Sequence, residues 1–307
     1  MRVVLPVLTA MCLVNAAYAA EPMKKIPDTA QSQGSETTAQ VIVKYKEGVV
    51  TAQGASGPGG TRIFTVDSNE AEAFAARLRF RPEVEEVALD LIVRNPPMPS
   101  PPVAASPSTR ASGAIPANEP TDPGFDLQIS WAAPGESNQG VQNVLAGYLA
   151  SEQVRKLRVG VLDSGFYPVS DIHYASGYNL SALGGDYGPK YLESEVDPSC
   201  TDAHGTAVAG IIGATANNGQ GIAGILDAEL IATRVLSCGS GILSDTALGI
   251  RWLAGDPTVT QAPPLDQPVD IINASLGSPV SSCPFYLQDA IDYAHEKGIL
   301  VVVAAGN

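Results

Sequence analysis

From Arg158 onward the sequence alternates between two periods, and that alternation limits the fold more than any other feature. Short apolar runs occupy Arg158–Asp163, Leu230–Leu236, Val269–Leu276 and Ile299–Ala304. Between them lie segments with apolar residues at helical spacing, from His204 to about Ala216, Ser244–Ala254 and Tyr286–Glu296. Ahead of the first run, Val141, Val144, Leu145, Tyr148 and Leu149 mark one face of another helix. Apolar runs without a polar alternate are buried on both faces. Strand–helix–strand repetition then packs as a parallel sheet with helices on both sides. The expected fold class is α/β, a doubly wound parallel sheet.

Sheets of this kind carry their chemistry beyond the carboxyl ends of the strands. Asp163 stops the first run, in Val161-Leu162-Asp163-Ser164-Gly165. His204, one of only 3 histidines, heads a small-residue helix, His204-Gly205-Thr206-Ala207-Val208-Ala209-Gly210. A buried carboxylate bonded to an imidazole nitrogen fixes its tautomer and makes the other nitrogen a base. Either residue alone is ordinary, since an Asp at a strand end usually caps a turn. The last run ends on Asn307, and Asn273-Ala274-Ser275-Leu276-Gly277 closes the third. Gly219-Gln220-Gly221-Ile222-Ala223-Gly224 fits a dinucleotide fingerprint, but it follows a helix and runs into a strand, the reverse of what that motif needs.

Four blocks taken together resemble the subtilisin-like (subtilase) serine proteases: Val161–Gly165, His204–Thr206, Asn273–Gly277 and Ala304-Ala305-Gly306-Asn307, in the Asp, His order of that family. Ala207 departs from the pattern, where a second His is common. The resemblance implies that Asp163 orients His204 as general base and that the Asn307 amide donates to the oxyanion. It implies that Ser275, Leu276 and Gly277 wall the primary specificity pocket, and that Gly239, Ser240 and Gly241 lie on an edge strand pairing with an extended substrate. No block with the nucleophilic serine follows Asn307. The expectation is therefore a secreted serine endopeptidase present as an N-terminal part, with an incomplete sheet and no turnover of its own. A non-catalytic pseudoprotease or inhibitory binding protein is the rival reading.

The resemblance also offers structural calcium, with Asp171 and Asn217 as ligands, and no cofactor for the chemistry itself. Oxygen donors suit that cation, although an Asn-Gly turn explains Asn217 equally. Family members with cysteines at such places link them, which implies a Cys200–Cys238 disulfide. Cys283 then has no partner once Cys12 leaves with the leader.

The leader is residues 1–20: one early Arg2, an apolar run from Val3 to Val14 and Ala17-Tyr18-Ala19 as a cleavage signal. Its apolar run is too short to span a bilayer, so a secreted protein with no membrane anchor in its mature form is expected. Residues 21–39 read as a polar spacer. Residues 40–94 read as a small α+β unit: strands at Gln40–Tyr45 and Thr61–Val66, and an Asp67/Glu70 capping box. A helix presenting Ala71, Phe74, Ala75 and Leu78 follows, then one strand through Val87, Leu89, Leu91 and Val93. Its place resembles the inhibitor-type propeptide of the family. Residues 95–120, rich in Pro, form the linker, and residues 121–307 the main domain. The formal net charge of −14, with no cluster of Lys and Arg, argues against a nucleic-acid partner. Polypeptide substrates and the chain's own propeptide are the expected partners of a monomer.

Overall fold

The computed structural model of the chain describes residues 38–47, 60–95, 120–125, 128, 156–182, 187–192, 202–280 and 282–305. The leader, the spacer before Thr38, the linker from Pro96 to Glu119, the helix expected at Val141–Leu149, Cys200 and Asn307 lie outside these residues.

Alternation in the first strand decides how the small unit is built. Strand β1 (Thr38–Tyr45) lies at the centre of an antiparallel sheet between β2 (Thr61–Asp67) and β3 (Val84–Leu89). Val41 and Val43 face helix α1 (Ala71–Arg79) and pack with Ala71, Ala75, Leu78 and Val84. Ile42 points the other way and joins the core of the main domain. The unit is thus buried on both faces, one by its own helix and one by the neighbouring domain.

Two expectations for this unit need correction. The Asp67/Glu70 capping box does not form: Asp67 still belongs to the β2 ladder opposite Thr38, its Oδ1 accepts the Asn69 N–H at 2.9 Å, and Glu70 takes the N-cap place without a side-chain bond. The strand expected through Val93 is two strands. β3 stops at Leu89, and after Asp90 and Leu91 the chain enters β4 (Ile92–Arg94), which pairs antiparallel with β8 (Ser240–Ile242) of the main domain.

The main sheet has five strands in the order β10 (Leu300–Val303), β9 (Ile271–Ala274), β5 (Leu157–Asp163), β7 (Ala228–Arg234), β6 (Tyr174–Asn179), all parallel. Helix α2 (His204–Gly213) covers one face with Val159, Val161, Phe166, Ala209, Leu230 and Ala232. Helices α3 (Leu243–Leu253) and α4 (Phe285–Glu296) cover the other, with Leu162, Ile231, Ile250, Leu253, Ile272 and Ala290. At Gly160 a Cβ would lie 2.5 Å from a Leu253 methyl, so β5 and α3 need glycine there to close together. Strand β6 was not expected from the sequence. Its Tyr174-Ala175-Ser176-Gly177-Tyr178-Asn179 is neither an apolar run nor a clean alternation, as befits an edge strand that is half exposed. The opposite edge, β10, leaves Leu300 and Val302 48% and 43% exposed. Helix α2 is shorter than expected, ending at Gly213, because Ala214 turns extended as its carbonyl accepts the Gly224 N–H.

Candidate active site

Asp163 ends β5 wholly buried, and His204 begins α2 with 7% of its surface exposed. The His204 Nδ1 lies 2.9 and 3.0 Å from the two Asp163 carboxylate oxygens. The backbone brings them together. Gly205 N–H donates to the Ser164 carbonyl at 2.7 Å and Thr206 N–H to the Gly165 carbonyl at 3.1 Å, so the first turn of α2 spends its free donors on the turn after Asp163. Both turn glycines are sterically required. A Cβ on Gly205 would sit 2.0 Å from the Ser164 carbonyl oxygen; one on Gly165, whose φ is +66°, would sit 2.2 Å from the Asp202 carbonyl oxygen.

The electrostatics follow from burial. Asp163 is pushed above the ordinary carboxyl value by desolvation, against which the His204 hydrogen bond and the Ser164 N–H, at 2.7 Å, pull it back. His204 is raised first by its hydrogen bond to Asp163, with a smaller contribution from the charge of Asp202, and desolvation opposes both. With Nδ1–H given to Asp163, the free lone pair is on Nε2. Among the described residues no hydrogen bond reaches that nitrogen, so it is free to take a proton from a reacting group.

The residues expected to bind an extended peptide do lie around one strand, and that strand is the chain's own. Arg94 exchanges two backbone bonds with Gly277, N–H to carbonyl at 3.0 Å and carbonyl from N–H at 3.1 Å. On the other side Val93 and Arg94 stand opposite Gly241 and Ser240, and the Asn95 N–H donates to the Gly239 carbonyl at 3.0 Å. Ile92–Asn95 therefore runs as the middle strand between the Gly239–Gly241 and Leu276–Gly277 segments, with Val93 fully buried. Ser275 lies just upstream, its hydroxyl accepting from Asn273 Nδ2 at 3.0 Å.

Sequence reasoning missed Ser164, Asp202 and Asn95. Asn95 Nδ2 donates to Ser164 Oγ at 2.8 Å and approaches Asp202 Oδ2 at 3.4 Å, while Ser164 Oγ itself donates to Asp202. Asp202 also accepts the His204 N–H at 3.1 Å through Oδ1. Asp202 directly precedes the Ala203-His204 helix start, and that was the only local signal of its role.

Asp171 and Asn217 each have hydrogen-bond partners within the chain. The Asp171 oxygens accept from Asn218 Nδ2 at 2.9 Å and from Ile222 N–H at 3.0 Å, and Asn217 Oδ1 accepts the Thr121 N–H at 3.1 Å. No group of three or more His, Cys, Asp or Glu able to hold a metal occurs among the described residues. Asn217, at φ +63°, is a left-handed turn residue. Neither Cys238 nor Cys283 is a free thiol.

Comparison with known proteins agrees with this arrangement. The model of the Subtilase family matches residues 155–307. An extracellular protease of Xanthomonas campestris pv. campestris is 32% identical over 248 residues, 79% of this chain and 40% of that protein. Thermitase of Thermoactinomyces vulgaris is 39% identical over 119 residues, 38% of either chain. A protease structure from Pseudoalteromonas arctica, 34% identical, superposes with a TM-score of 0.52 over 61% of this chain and 59% of its own. The chain thus spans less than half the length of these two relatives. The sheet and its helices are those of a subtilisin-like α/β domain, and over residues 155–307 the chain belongs to the subtilase family.

Proposed function

We propose that the chain is the precursor region and part of the catalytic domain of a secreted serine endopeptidase of the subtilisin type. The observation that carries this reading is the coincidence of two features in one place. A buried Asp163–His204 pair stands beside a groove already holding a strand in extended, backbone-paired form. In the proposed reaction His204 Nε2 takes the proton of a serine hydroxyl as that oxygen attacks the peptide carbonyl, then gives it to the leaving amine. Asp163 keeps the Nδ1 proton in place and stabilises the imidazolium. The Asn307 amide, outside the described residues, is assigned to the oxyanion. Peptide binding falls to Gly239–Gly241 and Ser275–Gly277.

In the same reading residues 1–20 are the secretion signal, residues 40–94 an inhibitor-type propeptide whose last strand blocks the groove, and residues 95–120 the segment cut on maturation. A Cys200–Cys238 disulfide belongs to this proposal, as do polypeptide substrates and a monomeric state. No described serine hydroxyl bonds to His204, so the 307-residue chain alone is proposed not to turn over.

Hydrolysis of an unfolded protein by the product secreted from its gene is the test. Asp163→Ala and His204→Ala should each lower kcat by about 10⁴-fold or more; undiminished activity in either would overturn the reading. The 307-residue chain should remain unlabelled by an active-site-directed fluorophosphonate, and stoichiometric labelling would refute its inactivity.

A further inference from the structure

A strand lying in a chain's own cleft would be its first substrate, but the residues that follow this strand oppose hydrolysis. Arg94 gives both backbone groups to Gly277, N–H to carbonyl at 3.0 Å and carbonyl from N–H at 3.1 Å, so its carbonyl is held in the ladder and is not the one attacked. Asn95 is the residue that reaches the catalytic pair. Its Nδ2 donates to Ser164 Oγ at 2.8 Å, the Ser164 N–H donates to Asp163 Oδ1 at 2.7 Å, and Asp202 accepts the His204 N–H at 3.1 Å. The carbonyls next along the chain belong to Asn95 and Pro96, in Asn95-Pro96-Pro97-Met98-Pro99-Ser100-Pro101-Pro102. Both are joined to a proline nitrogen. Acyl transfer to a serine requires the leaving nitrogen to turn its lone pair to the imidazolium and take the Nε2 proton. An ordinary amide nitrogen bears a small hydrogen, whereas in proline a ring carbon takes that place, restricts the turn and fixes φ at about −65°. A following proline also favours extended backbone at Asn95, the conformation in which its N–H meets the Gly239 carbonyl at 3.0 Å. The same residues thus favour docking and oppose cleavage.

Resting on the reading of this groove as an endopeptidase cleft, we propose that the docked strand is a hydrolysis-resistant plug, and that a second molecule of the protease cuts the linker further along. Ile92–Asn95 fills the chain's own groove, so no linker bond enters that groove while the strand is docked. Maturation is therefore bimolecular. One water is added across a bond beyond Pro97; Pro97–Met98, Pro99–Ser100 and Pro102–Val103 are the first whose nitrogen is not proline's. The new carboxyl end then lies past the groove, and release of the unit is a dissociation, not a chemical step.

The test uses the full-length product of the gene. In the parent precursor the new amino terminus, read by mass spectrometry, should lie beyond Pro97. The half-time of processing should fall about tenfold for a tenfold rise in precursor concentration, as a reaction between two molecules requires. Pro96→Ala with Pro97→Ala should open the bonds after positions 95 and 96 to cutting within one molecule, independent of concentration. Those bonds should break about 100-fold faster or more than in the parent, the share that general-acid catalysis supplies. A parent amino terminus at position 96 or 97, or parent processing that ignores concentration, overturns the proposal. A peptide of residues 88–100 gives a second measurement, free of any effect on folding. Mature protease should leave its bonds after Asn95 and Pro96 intact and should cut the doubly substituted peptide there. Cleavage of the parent peptide at those bonds, or equal resistance in both peptides, defeats the plug and leaves the endopeptidase reading standing. Failure of every form to hydrolyse an unfolded protein defeats the endopeptidase reading, and the plug with it.

Discussion

Gly205 shows how much of a catalytic pair is decided by residues with no chemistry. Any side chain there must displace the Ser164 carbonyl that anchors α2 behind Asp163, because its Cβ would lie 2.0 Å from that oxygen. Gly205→Ala should destabilise the fold by about 2 to 4 kcal/mol through overpacking and lost backbone bonds, checked by denaturant unfolding. His204 offers a second prediction. Its pKa is raised by Asp163 and, to a lesser degree, by Asp202, so the acid limb of the kcat/KM profile should lie above the ordinary imidazole value of about 6.5. Asp202→Asn should move that limb downward. Asp245 gives the third. Buried beneath Ala182 N–H, at 2.7 Å, and Tyr187 Oη–H, at 3.1 Å, it is pushed up to about 7 by desolvation, with Asp90 adding repulsion. The folded chain therefore holds a proton there that the unfolded chain releases near pH 4. The stability from that proton is fully present below about pH 4 and lost as pH rises towards 7, at most a few kcal/mol. Asp245→Asn should flatten the fall in unfolding free energy over this window, relative to the parent chain.

At the scale of elements, the informative feature is the break between β3 and β4. Val87, Leu89, Leu91 and Val93 alternate as one strand would, but Asp90 ends the ladder to cap a helix in the other unit. Its Oδ1 accepts the Ser244 N–H at 3.0 Å and the Tyr286 hydroxyl at 3.2 Å, and its Oδ2 the Ser244 hydroxyl. Asp90 thus supplies the first turn of α3 with an acceptor that α3 lacks, since its own N-cap residue, Ile242, has none. Asp90→Ala should leave those buried donors unmet and loosen residues 60–95 from the main domain, at a cost of about 1 to 3 kcal/mol. Faster proteolysis of the β4 segment with unchanged protection of β5 and β7 is the expected result. Lys44, bonded to Asp289 at 2.8 Å across the same boundary, is part-exposed and should matter less.

Across the whole molecule, what the sequence determined by itself were the features written in neighbouring residues. Four of the five strands of the parallel sheet, all but β6, its covering helices, and the placing of Asp163 and His204 at a strand end and a helix start follow from spacing along the chain. Period 2 and period 3.6 are local, and they survive whatever the rest of the chain does. Boundaries drifted where a strand end was set by a distant partner, as at Ala274, where β9 ends although the apolar pattern continues to Leu276. The tertiary structure alone decided the rest. Nothing near Ile92–Asn95 announces that it will lie between Gly239–Gly241 and Gly277, nor that Asn95 will meet Ser164 and Asp202, which stand 69 and 107 positions away. Asp122 likewise closes the Asn217-Asn218 loop from 95 and 96 positions off, accepting both backbone N–H groups. A carboxylate or amide in sequence is only a capacity to accept or donate. Which capacity is used depends on the partner that folding presents, because a buried polar group must take whichever complementary atom the packed backbone leaves within reach.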